Sequence, residues 1–141
     1  MVSIVAMIVS MAQVYRHDIA TESLINIHFV WSPKRRRKVL IGPVEKDLRS
    51  LLREQSAGLD CKIMSLEILP DHVHLFLSCP PSLAPNEIMY RIKGVTSRIL
   101  REKYPHLQRM DSLWTRSYFC STLPNVSSEL IRRYVEKQKT R

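Results

Sequence analysis

Two short spacings in this chain could do chemistry. His72-Val73-His74 sets two imidazoles two residues apart in a run that continues Leu75-Phe76-Leu77. Side chains alternate across a strand, so both rings leave the same face, and two imidazoles so placed can share one divalent cation. Near the C-terminus, Tyr134 and Gln138 are four residues apart. On a helix that separation is about 40° of rotation and about 6 Å of rise, so the two share a face. A phenol can be a covalent nucleophile, and an amide carbonyl can complete the coordination of a hard cation. Either spacing arises in about one shuffled chain in seven, so neither alone separates a site from a solvated strand or a surface tyrosine. Their conjunction on a strongly basic chain is the informative observation.

The elements that must position them follow from the pattern around them. Residues 24–31 (LINIHFVW) read as a strand, followed by the basic run Lys34, Arg35, Arg36, Arg37 and Lys38. Gly42-Pro43 opens a helix with Val44, Leu48, Leu51 and Leu52 on one face, ending at Gly58. Residues 61–69 and 72–78 are extended runs separated only by Pro70-Asp71, which makes them a tight antiparallel hairpin with His72 and His74 on its second arm. Asp71 serves the turn first, and its place beside His72 also allows it to support that ring. A second helix runs from Pro85 to Tyr104-Pro105, a strand is expected over 113–122, and a last helix over 127–139 carries Tyr134. The order β-α-β-β-α-β-α predicts an α+β, ferredoxin-like (split βαβ) antiparallel sheet with helices on one face and a C-terminal helix bearing the phenol.

Length and charge bound the rest. The chain has 141 residues, enough for one domain with a real core, and 45% of them are hydrophobic. Lys and Arg number 22 against 13 Asp and Glu, a net charge of +9 that favours a polyanionic partner, nucleic acid or an anionic membrane face. Three cysteines with no close pair, Cys61, Cys79 and Cys120, argue against a disulfide framework or a Cys-rich zinc site and for a reducing cytoplasm. Residues 1–14 form an apolar extension, well short of the ~20 residues that span a bilayer and lacking a cationic start. It reads either as a start placed ahead of Met11 or as an extra segment packed on the body, with a single domain over 15–141. His17, His28 and His106 are scattered and read as structural or exposed, and Trp31 and Trp114 as core.

The chain resembles the single-tyrosine transposases of small insertion sequences that move as single-stranded DNA, the insertion-sequence-200-like group of the HUH (His-hydrophobic-His) nucleases. The resemblance runs from about Tyr15-Arg16-His17 to the C-terminus, nearly the whole chain. It is carried by the basic run after the first strand, Pro70-Asp71-His72-Val73-His74-Leu75, Arg91-Ile92-Lys93-Gly94 to Ser97-Arg98, Ser112-Leu113-Trp114-Thr115-Arg116-Ser117-Tyr118-Phe119, and Tyr134-Val135-Glu136-Lys137-Gln138. The apolar start is a departure from it.

The resemblance implies that His72, His74 and Gln138 hold Mg²⁺ or Mn²⁺ and that Tyr134 is the nucleophile. It implies cleavage of single-stranded DNA at hairpin-marked element ends through a 5′-phosphotyrosine link, followed by rejoining. It also implies a homodimer whose sites can be shared between subunits, and a cytoplasmic, nucleoid-associated protein with no membrane role. Lys34, Arg35, Arg36, Arg37, Lys38, Arg91, Lys93, Arg98, Arg133 and Lys137 are the candidate DNA contacts. Transesterification keeps the phosphodiester bond energy in the tyrosyl link, and the chain accordingly has no Walker-type glycine loop. Alternatives with the same chemistry are a domesticated repeat-hairpin nuclease and a replication-initiation nuclease. A non-catalytic RNA-binding module would need stacking aromatics on its central strands, where this chain has His72, His74 and only Phe76 in line.

Overall fold

The computed structural model describes residues 16–17, 22–23, 25–122 and 128–138, so the apolar extension over 1–14 lies outside the described residues. A two-stranded ribbon, β1 (Arg16–His17) with β2 (Glu22–Ser23), precedes the body and was not anticipated from the sequence. The body then runs β3 (Asn26–Trp31), α1 (Pro43–Gly58), β4 (Lys62–Leu69), β5 (His72–Ser78), α2 (Pro85–Lys103), the single turn α3 (Pro105–Gln108), β6 (Phe119–Ser121) and α4 (Ser128–Lys137). The sheet order is β4-β5-β3-β6 with every neighbouring pair antiparallel, the split βαβ arrangement that the sequence order implies.

Local chemistry sets the boundaries. Gly42 takes φ +58°, a left-handed turn open to glycine, and Pro43 follows at the first helical position with its ring already at a helical φ. At the start of α2, the Ala84 amide donates to Glu87 Oε1 at 3.0 Å, satisfying one of the helix's orphan donors. Tyr104 is extended because Pro105 disfavours helical geometry in the residue before it, so α2 stops there and α3 is a separate turn.

The sheet has two different faces. Ile27, Phe29 and Trp31 of β3 and Val73, Leu75 and Leu77 of β5 are fully buried against Leu48 and Leu52 of α1 and Ile88, Ile92 and Leu100 of α2. Truncating one of the large members to alanine costs about 3–5 kcal/mol in such a core. The opposite face carries Asn26, His28 and Val30 from β3, with His72, His74 and Phe76 from β5. There α4 packs, through Val135 on Val30 with Phe119 and Tyr134 beside them. The helices-on-one-face expectation therefore holds for α1 and α2, and the tyrosine helix takes the other side.

The strand expected over 113–122 shrinks to Phe119–Ser121. Its earlier half crosses the end of the sheet irregularly: Trp114 makes an isolated bridge to Pro33, the Lys34 amide donates to Leu113 O, and the Thr115 amide donates to Ser32 O. The carbonyls of Thr115, Arg116 and Ser117 accept from the Lys93 ammonium, at 2.6, 3.2 and 3.2 Å, in place of a neighbouring strand. β-rich composition there is overridden by this tertiary contact.

Candidate active site

On the outer face, His72 and His74 stand side by side with ring centroids 5.0 Å apart. Each ring is held at Nδ1. For His72 the partner is Asp71, with Oδ1 at 2.8 Å. For His74 it is His28, whose Nε2 lies at 3.2 Å and whose ring stacks on it at 5.3 Å. The placement of His28 follows from register, since β3 pairs with β5 so that Val30 opposes His74 and His28 opposes Phe76. With Nδ1 engaged on both rings, Nε2 is the nitrogen of each that could face a cation, the usual arrangement for a metal-binding histidine. Burial, reinforced by the neighbouring His72 and His28, lowers His74 to about 3, and burial lowers His28 to about 4. Both are therefore neutral at pH 7, the state in which an imidazole offers a lone pair. Among the described residues no three His, Cys, Asp or Glu side chains gather into a metal cage. The imidazole pair thus fits a cation only with oxygen ligands from elsewhere, such as an amide, water or phosphate.

Asp71 is itself supported. Its Oδ2 accepts from Arg36 Nε at 2.6 Å, and Arg36 Nη1 donates onward to Glu136 Oε1 of α4 at 2.9 Å. Burial alone raises the Asp71 carboxyl, but hydrogen bonds from His72 and Arg36 and the guanidinium charge outweigh it and leave the carboxyl below its ordinary range. Arg35 and Arg36 both sit at left-handed φ, +57° and +55°, a conformation that costs roughly 1–2 kcal/mol per non-glycine residue. Within the basic run Arg36 turns inward, while Arg35, Arg37 and Lys38 are exposed.

Tyr134 and Gln138 form a second cluster with the segment before β6. The Gln138 carbonyl accepts from Thr115 Oγ1 at 2.9 Å and Ser117 Oγ at 3.2 Å, and its Nε2 donates to the Tyr134 carbonyl at 3.2 Å. Ser117 Oγ also meets the Tyr134 phenol at 3.1 Å. Gln138 is 1% exposed, and both lone pairs of its carbonyl are taken by hydroxyl protons in this conformation. The structure therefore brings His72 to His74 and Tyr134 to Gln138, on one face of the sheet, in two separately held groups bridged by Arg36.

Several of these partners were not singled out from sequence. His28 read as bland because its relation to His74 depends on a strand pairing across 46 residues. Ser117 and Thr115 lie in what looked like a strand. Lys93, a candidate phosphate contact, has its ammonium on three carbonyls, and burial lowers its pKa to about 8. Of the other candidate DNA contacts, Arg91, Arg98, Arg133 and Lys137 are exposed and Lys34 half-buried. A separate cleft of about 840 Å³ runs along α2, with Tyr90, Arg91, Trp114, Arg116 and Tyr118 in its walls and none of the site residues His72, His74 or Tyr134. No helix among the described residues is long and apolar enough to cross a membrane.

Known proteins are similar to this chain over most of its length. The family model described as "Transposase IS200 like" matches residues 21–138. The chain is 32% identical over 117 residues to the ISDra2 transposase TnpA of Deinococcus radiodurans, covering 81% of this chain and 84% of that one. It is 29% identical over 114 residues to the transposase for insertion sequence element IS200 of Salmonella typhimurium, covering 79% and 74%. Among solved structures, a Deinococcus radiodurans protein assigned as a transposase superposes with a TM-score of 0.79 at 28% identity, over 87% of this chain and 97% of that one. A REP-associated tyrosine transposase, solved bound to a REP hairpin, shares the fold at a TM-score of 0.51 and 16% identity, over 89% and 69%. On the match that extends from before β3 to the end of the tyrosine helix, the chain belongs to the IS200-like transposase family.

Proposed function

We propose that this transposase cuts and rejoins single-stranded DNA at hairpin-marked ends of an insertion sequence, with Tyr134 as nucleophile and Mg²⁺ or Mn²⁺ held by His72, His74 and Gln138. The observation that carries the reading is the pair of imidazoles, His72 and His74, each fixed at Nδ1, on the sheet face where the tyrosine helix is seated. When bound, the cation would polarise the scissile phosphate and offset the charge that builds on it. Imidazole and amide donors are softer than an all-oxygen cage, which favours Mn²⁺ over Mg²⁺ in vitro.

The protein's own part can be written through. The Tyr134 oxygen bonds to the scissile phosphorus as the bond from phosphorus to the 3′-oxygen breaks, leaving a 5′-phosphotyrosine and a free 3′-OH. The phenol loses its proton and the 3′-oxygen gains one, so charge and atoms balance. Rejoining is the reverse, with a 3′-OH attacking the tyrosyl link. Gln138 can present its carbonyl to a cation only by giving up a hydrogen bond from Thr115 or Ser117, and Tyr134 must likewise leave Ser117 to attack. The exposed cations Arg35, Arg37 and Lys38 are suited to phosphate contacts. A homodimer is part of the proposal; in the chain described here the tyrosine helix lies over its own sheet.

The test is a denaturing gel of the protein mixed with end-labelled single-stranded DNA carrying a hairpin, with Mg²⁺ or Mn²⁺. A covalent protein–DNA band is expected from the single strand and none from duplex of the same sequence. Appreciable duplex cutting would argue for a different nuclease class.

A further inference from the structure

The proposed chemistry needs the tyrosine helix and the start of β5 fixed relative to each other, and one side chain spans both. Arg36 gives Nε to Asp71 and Nη1 to Glu136, at 2.6 and 2.9 Å. Asp71 divides its two oxygens, Oδ1 on His72 and Oδ2 on Arg36, so the guanidinium also restrains the carboxylate that orients His72. Glu136 lies between Tyr134 and Gln138 in the chain, two residues from each.

We propose that Arg36 is a positioning residue: it seats α4 on its own sheet by tying Glu136 to Asp71, and through Asp71 it steadies His72. The proposal rests on the reading of Tyr134 and His72 as the reactive groups. A further observation supports it. The Arg36 side chain is 18% exposed, unlike its exposed neighbours Arg35, Arg37 and Lys38, so it is turned from the solvent where a DNA phosphate would arrive. Its backbone also holds a left-handed φ, as does that of Arg35 beside it. A planar guanidinium suits the task because its donors are set in a rigid fork, whereas the three donors of an ammonium turn on a flexible stem.

The experiment uses the full chain with Arg36→Gln, Arg36→Lys and Glu136→Gln. Hydrogen exchange of the α4 amides is read without DNA, and the rate of covalent adduct formation is read at saturating hairpin DNA with Mn²⁺. Glu136 is half-exposed, so Glu136→Gln removes a partly screened pair and raises α4 exchange about three-fold without unfolding the sheet. Arg36→Gln lowers the saturating rate about ten-fold, the scale of losing a support behind a metal ligand. Arg36→Lys recovers only part of that, and adding Glu136→Gln to Arg36→Gln slows it no further. If Arg36→Gln weakens DNA binding and flattens its salt dependence but leaves the saturating rate and α4 exchange unchanged, Arg36 is a phosphate contact and the proposal falls. Helix exchange does not depend on the identity of the nucleophile. A Tyr134→Phe variant that still formed adduct would thus overturn the functional reading and leave the exchange result standing.

Discussion

Ser117 Oγ lies 3.1 Å from the phenolic oxygen of Tyr134. The same hydroxyl meets the Gln138 carbonyl at 3.2 Å. One small side chain therefore restrains the phenol and the amide at the same time, from a segment that Lys93 in turn pins by its carbonyls.

Thr115→Val is expected to lower stability by about 1–3 kcal/mol, because it strips a donor from a buried carbonyl that water cannot reach. Ser117→Ala, at a half-buried position, costs less, about 1 kcal/mol. Urea denaturation of the two variants checks this. Values within a few tenths of wild type would mean that Gln138 is not held as described.

His28→Leu removes the hydrogen-bond partner of His74 Nδ1 while keeping an apolar fill in a buried position. Asp71→Asn removes the charge behind His72. Each is expected to weaken Mn²⁺ binding about 10- to 100-fold, the range seen when a supporting partner of a metal-bound histidine is lost. Calorimetric titration of the free protein reads this directly. Unchanged affinity in both variants would remove the cation from the imidazole pair.

Lys93 gives a pH signature. Its amine titrates near 8 in the folded chain against 10.5 ordinarily, lowered by burial. Between those values the unfolded chain binds the extra proton, so the penalty for charging Lys93, complete below pH 8, is relieved as pH rises toward 10.5. Stability of wild type relative to Lys93→Met should rise across that window. Parallel curves for the two proteins would contradict the burial of this amine.

The fold was legible because its signals are local. Alternation marked β3, extended runs marked β4 and β5, Gly42-Pro43 and Tyr104-Pro105 bounded the helices, and Pro70-Asp71 read as a tight turn. The chemistry-bearing pairs were legible for the same reason, since His72 with His74 and Tyr134 with Gln138 are related by the period of one element. What escaped is what joins elements. His28 acquires meaning only when β3 is laid against β5, and Arg36 is one cation among five until residues 71 and 136 arrive from other parts of the chain. Residues 113–118 have a strand's composition, yet the carbonyls of Thr115, Arg116 and Ser117 go to a lysine of α2, a contact no local pattern contains.

The most direct test of the central claim is to locate the covalent bond. The protein is incubated with hairpin single-stranded DNA and Mn²⁺, digested with nuclease and protease, and mapped by mass spectrometry. The account predicts a nucleotide attached through a 5′-phosphate to the peptide bearing Tyr134, absent from Tyr134→Phe and strongly reduced in His72→Ala. A nucleotide on another residue such as Tyr118, or cleavage with no protein-linked nucleotide, would contradict it.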